Sequence, residues 1–448
     1  MKSSYIFILF LTLSSICRSQ NVSYLNHFDS NEINNYLSES FNLDVLLTGL
    51  LTHDVSMYRM SYEMPFLDQE ISVSGAVFIP ETSNSNIAYP IVVFNHGTTF
   101  IRANAPSFKE EINNLGYYLS ALGFIVLMPD YVGLGESEIT HPYCHSQSES
   151  DCGWHLVQSF IQSLDYFSIN TNGNLFISGY SQGGHVAMAM SKNSPPISIQ
   201  NDIEVIAVAP LSGPYDLSGV QLPLTFQQNS YSNPAYLFYI LKGWNSVYGN
   251  IYTDFAEICF EPYASIIEPM LDGTHSADEI NGECPELLTE LFPENLIQEV
   301  LGNVDNIIME IAQENDVYQW VPTMPIQMRY CTQDEEVFYE NALSAESWMV
   351  DNGAANVVAY NVGNVNHHDC ALSAITNSML WFYSLNNGGT LSIGEESEIW
   401  EDDCTIYDLY GRLVYKGQKD MYRLNNLSGI FLIKFESNKT PTKILLGN

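Results

Sequence analysis

Short, almost wholly apolar runs recur through the first four fifths of the chain, and between them apolar residues return every three or four positions. The segment 58–80 alternates in the manner of an antiparallel hairpin. "YPIVVFNHG" (89–97), "FIVLMPD" (124–130), "NLFISGY" (174–180), "EVIAVAPLSG" (204–213), "PIQMRYC" (325–331) and "NVVAYNVG" (356–363) read as strands. Residues 110–123, 151–167 and the stretch from Gln182 read as helices. Near-continuous apolar strands separated by helices imply a doubly wound, mostly parallel α/β sheet, here of eight strands, with both faces covered.

The alternation breaks between Tyr215 and Pro322. That stretch is aromatic and helical in pattern, and no sheet crossover needs so long a connection. It is expected to form a cap, about 215–320, over one edge of the sheet. "SLNNGGTLSIGEESE" (384–398) has the composition of a linker, placed at 386–397. Short alternating stretches then follow to the end, so 398–448 is expected to be a small β-sandwich of its own. The catalytic body is thereby bounded at 21–385.

The N-terminus adds a location. Lys2 precedes a short apolar core from Tyr5 to Leu13, then small and polar residues. This is the pattern of a secretory signal over 1–20, cut after Ser19 or Gln20, and too short to span a bilayer. Export makes disulfides the expected state of the remaining cysteines. Neighbour pairing would join Cys144 to Cys152, Cys259 to Cys284 and Cys331 to Cys370, leaving Cys404 over; sequence does not fix the connectivity. Their spacing does not match a zinc site, so neither metal nor cofactor is expected. The formal charge is −37, from 52 acidic and 15 basic residues among 448. Such a surface repels phosphate backbones and excludes nucleic acid as a partner. The tail from Glu398 is neutral, with seven acids and seven bases, so the body carries the deficit. A monomer with no transmembrane segment is expected.

The candidate chemistry begins at Gly179-Tyr180-Ser181-Gln182-Gly183. The pentapeptide lies between a strand and a helix, which is the setting of a nucleophile elbow. A serine hydroxyl needs a base, and the base needs an orienting acid, in the chain order Ser, acid, His. Asp334 follows one strand, and His367 and His368 follow the next. Oxyanion donors would be the backbone N–H of Gln182 and those of Gly97 and Thr98, after an earlier strand. His96 precedes Ser181 and breaks the required order. It reads as structural.

These motifs carry a resemblance. With "HGT" (96–98), "PDYVGLGES" (129–137), "GYSQGG" (179–184), the helical insertion, "CTQDEEV" (331–337) and "NHHDCA" (366–371), the body resembles an α/β-hydrolase-fold serine esterase, and in particular the secretory lipase family. The resemblance implies hydrolysis of carboxylic esters, lipids included, with Ser181, Asp334 and His367 as the triad. The doubled histidine departs from the pattern. The family's asparagine-histidine-x-x-cysteine spacing favours His367 as base, and a Cys331–Cys370 bridge would clamp the acid and base loops. The tail, with "IYDLYGRLVYKG" (406–417), "LSGIFLIKF" (427–435) and "KILLGN", resembles the type A sorting domain of the type IX secretion system. That implies engagement of the secretion machinery and an extracellular or cell-surface destination. Two alternatives stand beside the esterase: a serine exopeptidase on the same fold, and a binding protein with a degenerate hydrolase fold.

Overall fold

The structure, a computed structural model, describes residues 21–386 apart from 42–49, 82–83, 85, 229 and 303–305, together with four strands between 404 and 447. The signal segment 1–20 and the linker from 387 lie outside the described residues.

A nine-stranded sheet forms the body, in the order β1-β2-β3-β5-β4-β6-β7-β8-β9. The strands are β1 (Asn21–Phe28), β2 (Val55–Phe66), β3 (Gln69–Pro80), β4 (Ala88–Asn95), β5 (Ile125–Pro129), β6 (Asn170–Tyr180), β7 (Glu204–Leu211), β8 (Ile326–Cys331) and β9 (Val357–Gly363). From β5 to β9 all neighbours pair in parallel. Eight of the nine are the expected strands. The ninth, β1, adds antiparallel to β2 at the edge, where polar residues on both faces hide the alternation.

The apolar runs divide by the two-residue period of a strand. Ile91, Val93, Ile125, Leu127, Leu175 and Ile177 enter the core on one face. Val92, Phe94, Val126, Met128 and Phe176 enter the core on the other. Two helices begin elsewhere than the pattern suggests. α2 (Leu115–Ala121) starts at 115 because the Asn114 side chain accepts from Gly116 N, capping it there. α3 (Ser146–Gln162) starts at 146, where the His145 ring accepts from Ser148 N. Among the other helices are α1 (Ser30–Phe41), α4 (Gln182–Lys192), α5 (Pro234–Tyr248), α6 (Ile307–Glu314), α7 (Glu340–Asp351) and α8 (His367–Asn386).

Between β7 and β8 the chain forms the expected helical cap, with its own core around Phe238, Trp244, Phe255 and Phe292. The cap does not lie along a sheet edge. Its residues Leu222, Leu237 and Ile240 share a pocket with Ser181, over the carboxyl ends of the strands. Among the described residues no helix is long and apolar enough to cross a membrane. The tail has four strands, β10 (Cys404–Asp408), β11 (Leu413–Gly417), β12 (Gly429–Phe435) and β13 (Lys443–Gly447), in one antiparallel sheet of order β11-β10-β12-β13. A second layer, which a sandwich requires, falls outside the described residues.

One of the three cysteine pairs is bonded. Cys331 and Cys370 form a disulfide across 39 positions. Cys144, Cys152, Cys259 and Cys284 are free thiols, against the neighbour-pairing expectation. Cys144 turns into the cap core while Cys152 enters the sheet core, so the two point into different clusters. The Cys259 thiol donates to Phe260 O and the Cys284 thiol to Ile280 O.

Candidate active site

Strand register brings the candidate residues together. β4 and β6 are neighbours, with Asn95 opposite Gly179, so the loop His96-Gly97-Thr98 and Ser181 leave the sheet side by side. β8 and β9 pair Cys331 with Gly363, so the loops carrying Asp334 and His367 also emerge as neighbours. All four lie beyond the carboxyl ends of parallel strands, where open α/β sheets place their ligands.

Ser181 sits between β6 and α4 with φ 61° and ψ −122°. Non-glycine residues rarely hold such a conformation, which costs roughly 1–3 kcal/mol and persists only under surrounding constraint. The constraint is visible in the two flanking glycines. A Cβ at Gly179 would overlap the carbonyl oxygen of Gly183, and one at Gly183 would overlap that of Asn95. The bend therefore tolerates no side chain two residues either side of the serine. Ser181 N donates to Leu211 O at 2.9 Å, fixing the bend to β7. The serine is 7% exposed at the amino end of α4, where unsatisfied N–H groups favour negative charge.

His367 opens α8. Its Nδ1 donates to Asp334 Oδ2 at 2.7 Å. Asp334 Oδ1 accepts from the backbone N–H of Glu336 and Val337, so the carboxylate cannot swing away. Both residues are buried. Burial alone would depress the His367 pKa, but the Asp334 hydrogen bond and charge, with Glu336 and Glu335, raise it above the ordinary 6.5. Tyr180, adjacent to Ser181, donates its hydroxyl to His367 O and packs its ring 5.0 Å from the imidazole. His368 is exposed to solvent on the next position of the helix. The disulfide lies three residues from Asp334 and three from His367 and ties their loops together. No hydrogen bond joins Ser181 Oγ to His367 among the described residues. His367 Nε2 instead faces Glu336 Oε2 at 3.7 Å, and Glu336 lines the same pocket as Ser181.

Solved structures show the same arrangement of elements. A Legionella pneumophila protein named only as a hydrolase superposes with a TM-score of 0.72 at 22% identity, covering 84% of this chain and 100% of its own. The rice cell wall degrading esterase LipA of Xanthomonas oryzae gives 0.67 at 22%, covering 82% and 97%. Candida antarctica lipase A in its closed state gives 0.60 at 14%, covering 83% and 82%. No protein-family profile matches the chain, and no curated protein does. The chain has the α/β-hydrolase fold.

On that fold the loop after β4 approaches the nucleophile, and here its geometry is fixed by His96. Burial pushes the His96 pKa down to about 4, so the ring is neutral and carries one N–H. Nδ1 lies 2.7 Å from Gly97 O and Nε2 3.3 Å from Asp130 O. The shorter contact assigns the proton to Nδ1, donating to Gly97 O. In a trans peptide the next N–H, that of Thr98, then points away from His96. A Cβ at Gly97 would lie 3.4 Å from Tyr180 O and 3.8 Å from Ser181 Cβ, so the loop runs alongside the elbow. The Thr98 hydroxyl is paired with Tyr143 OH at 2.9 Å.

No sequence pattern marks the second histidine–carboxylate pair, which lies beside the elbow. Glu149, on α3, is 1% exposed. Its Oε1 accepts from Cys144 N at 3.0 Å and from Gln182 Nε2 at 2.6 Å. Its Oε2 lies 3.1 Å from His185 Nδ1, and His185 Nε2 donates to Asn315 O at 3.0 Å. The other Gln182 N–H donates to His141 Nε2 at 2.8 Å, and His141 Nδ1 donates to Val132 O. The residue after Ser181 is thus held through its side chain by two buried groups. Glu149 falls in "SQSESDC", a polar stretch that lies before the helix expected over 151–167 and has no apolar periodicity. Only the fold turns it inward.

Proposed function

We propose that this is a secreted serine esterase of the α/β-hydrolase fold, cleaving carboxylic esters through a Ser181–His367–Asp334 triad. The observation that carries it is the buried His367 Nδ1–Asp334 Oδ2 hydrogen bond of 2.7 Å, presented next to a strained serine at a helix start. In the first step His367 Nε2 takes the Ser181 proton as Oγ attacks the ester carbonyl, with Nε2 turning from Glu336 to Ser181. The backbone N–H groups of Gln182 and of the Gly97–Thr98 loop receive the oxyanion. The imidazolium then protonates the departing alcohol, leaving an acyl-serine. Water, deprotonated by the same nitrogen, releases the acid and restores the serine. Asp334 keeps the imidazole in one tautomer throughout.

Two cavities support the shape of the substrate. The one beside Ser181 is bounded by Leu222, Leu237 and Ile240. These same residues wall a second cavity, wholly apolar, inside the cap. An aliphatic acyl group fits the apolar side. The X. oryzae neighbour is an esterase and the C. antarctica neighbour a lipase. The exposed destination rests on the N-terminal signal, the type IX-like tail and the Cys331–Cys370 bridge. The experiment is a panel of p-nitrophenyl esters of increasing chain length, beside aminoacyl p-nitroanilides, on the full chain and on Ser181→Ala. Ester turnover that falls by about four to six orders of magnitude in the variant is the expected result. Preference for the anilides would make the protein a peptidase, and a variant keeping a tenth of its activity would remove Ser181 as nucleophile.

A further inference from the structure

The pocket beside Ser181 contains a carboxylate that cleavage of a neutral ester does not need. Glu336 is the one charged residue among the described residues lining it, and Tyr143, Tyr231 and Tyr236 stand around the same space. Its carboxylate is held by neutral donors. Oε1 accepts from Asn233 Nδ2 at 2.8 Å, and Asn233 is itself fixed by Asn281 Nδ2 at 2.9 Å. The Tyr236 side chain faces the same carboxylate and favours its charged form. The main chain of the same residue is pinned from the other side, where its carbonyl accepts from Gln221 Nε2 at 2.9 Å and Tyr231 OH at 3.1 Å. These contacts orient the carboxylate and supply no cation, while burial holds its pKa above the ordinary value, so a cation is the partner that would favour its charged form. Among the described residues its ionic neighbour is His367, with Nε2 3.7 Å from Oε2.

We infer that the ester taken at this site carries an ammonium group on its alcohol half, held by Glu336 among the tyrosine rings; the inference rests on the esterase reading above. The alcohol half follows from the position of His367. Nε2 must protonate the departing alcohol oxygen, and Glu336, which Nε2 faces at 3.7 Å before it turns to Ser181, lines the same pocket as that serine, so its carboxylate borders the space the alcohol half leaves by. A cation two carbons beyond an ester oxygen would reach such a carboxylate. Tyrosine faces attract ammonium ions as well, and the effect grows where water is excluded. The acyl half is left to the apolar cavity on the far side of Leu237 and Ile240. There is also a consequence for the base. An ammonium beside Glu336 replaces the imidazolium as its partner and favours the neutral imidazole that the first step requires. The body's excess of acid draws cations toward the molecule in the same sense, more strongly at low ionic strength.

The test compares two esters of nearly equal shape, the butyrate of choline and that of 3,3-dimethylbutanol, in which carbon replaces the quaternary nitrogen. At about 0.15 M salt, where the field of the surface acids is screened, the full chain is expected to favour the choline ester in kcat/KM by about tenfold or more. Glu336→Gln is expected to bring the ratio to about one. Any change that this substitution makes in the basicity of His367 is common to both esters and cancels in the ratio. As a check independent of any variant, tetramethylammonium chloride should compete with the neutral ester where the same concentration of sodium chloride does not. A wild-type ratio near one overturns the inference. So does a preference that survives in Glu336→Gln, or an absence of competition by tetramethylammonium. Turnover of p-nitrophenyl butyrate with no turnover of the choline ester also overturns it, while leaving the esterase reading in place. A chain that cleaves no ester at all removes both.

Discussion

Two histidines lie close to Ser181, each buried and each against a carboxylate, and the difference between them is in their second nitrogen. His367 gives Nδ1 to Asp334 and turns Nε2 toward a pocket that also holds Ser181 and Glu336. His185 meets Glu149 with Nδ1 and spends Nε2 on the Asn315 carbonyl. A ring with both nitrogens committed to protein holds its surroundings in place. A ring with one nitrogen facing the pocket can pass a proton. The partner of the second nitrogen, rather than the histidine–acid pair itself, separates a base from a brace.

Exchange of the two roles would break this comparison most directly. His367→Ala is expected to lower kcat/KM by about four orders of magnitude or more, as loss of a triad member does. His368→Ala, altering an exposed side chain on the same turn, is expected to leave the rate within about twofold. Activity of both on a p-nitrophenyl ester, with circular dichroism to confirm folding, is the measurement. A dead His368 variant beside an active His367 variant would reverse the assignment.

The second pair makes a smaller prediction. Glu149 fixes the Gln182 side chain, and the Gln182 N–H is the expected oxyanion donor. Glu149→Ala is expected to lower kcat by about a hundredfold to a thousandfold, comparable to loss of one oxyanion donor, with little change in KM. Glu149→Gln keeps an acceptor at Oε1 and is expected to recover part of that loss. A fall confined to KM would place the network in substrate binding rather than in holding the donor.

The disulfide bears on stability instead of chemistry. It closes 39 positions of chain, and chain-entropy reasoning gives up to about 4 kcal/mol. A Cys331→Ser, Cys370→Ser double variant is expected to lose much of this in a denaturant titration. Because the bridge ties the acid loop to the base loop, its activity is expected to fall well before the chain unfolds, as urea is raised. Coincident loss of activity and structure would deny the clamp that role.

Legibility in the sequence follows the same division. Ser181, Asp334 and His367 stand at the ends of strands whose apolar runs are unmistakable, so their order and spacing could be read before any coordinates. His367 and His368 were separable only weakly, by distance to Cys370; the fold separates them by burying one against Asp334 and leaving the other in water. Glu149 could not be read, because one acid in "SQSESDC" has no periodicity to mark it as internal. The thiols misled for a related reason. Cys144 and Cys152 are near in sequence, but the chain turns at Cys144 with φ 53° and sends the two side chains into separate cores. The edge strand β1 was missed because its residues are partly exposed on both faces.

The smallest effect concerns pH. Asp334, Glu336 and Glu335 all raise the His367 pKa above 6.5, and the Tyr180 ring packs against the imidazole without charge. In the proposed mechanism His367 must be neutral to take the Ser181 proton, so kcat/KM is expected to fall as pH drops through the folded-state pKa, with its midpoint above 6.5. The linked stability has a definite sign. A folded pKa above the unfolded one stabilises the protein fully below the unfolded value, and that contribution is lost as pH rises through the folded value. Glu335 contributes least of the three carboxylates, and its Oε2 accepts from His367 N at 3.1 Å. Glu335→Gln keeps an oxygen for that N–H and removes the charge. It is expected to move the acid limb down by a fraction of a pH unit, with the plateau rate retained and with stability lost at a slightly lower pH. An upward move of the limb would mean that Glu335 acts through the backbone of His367 rather than through its charge.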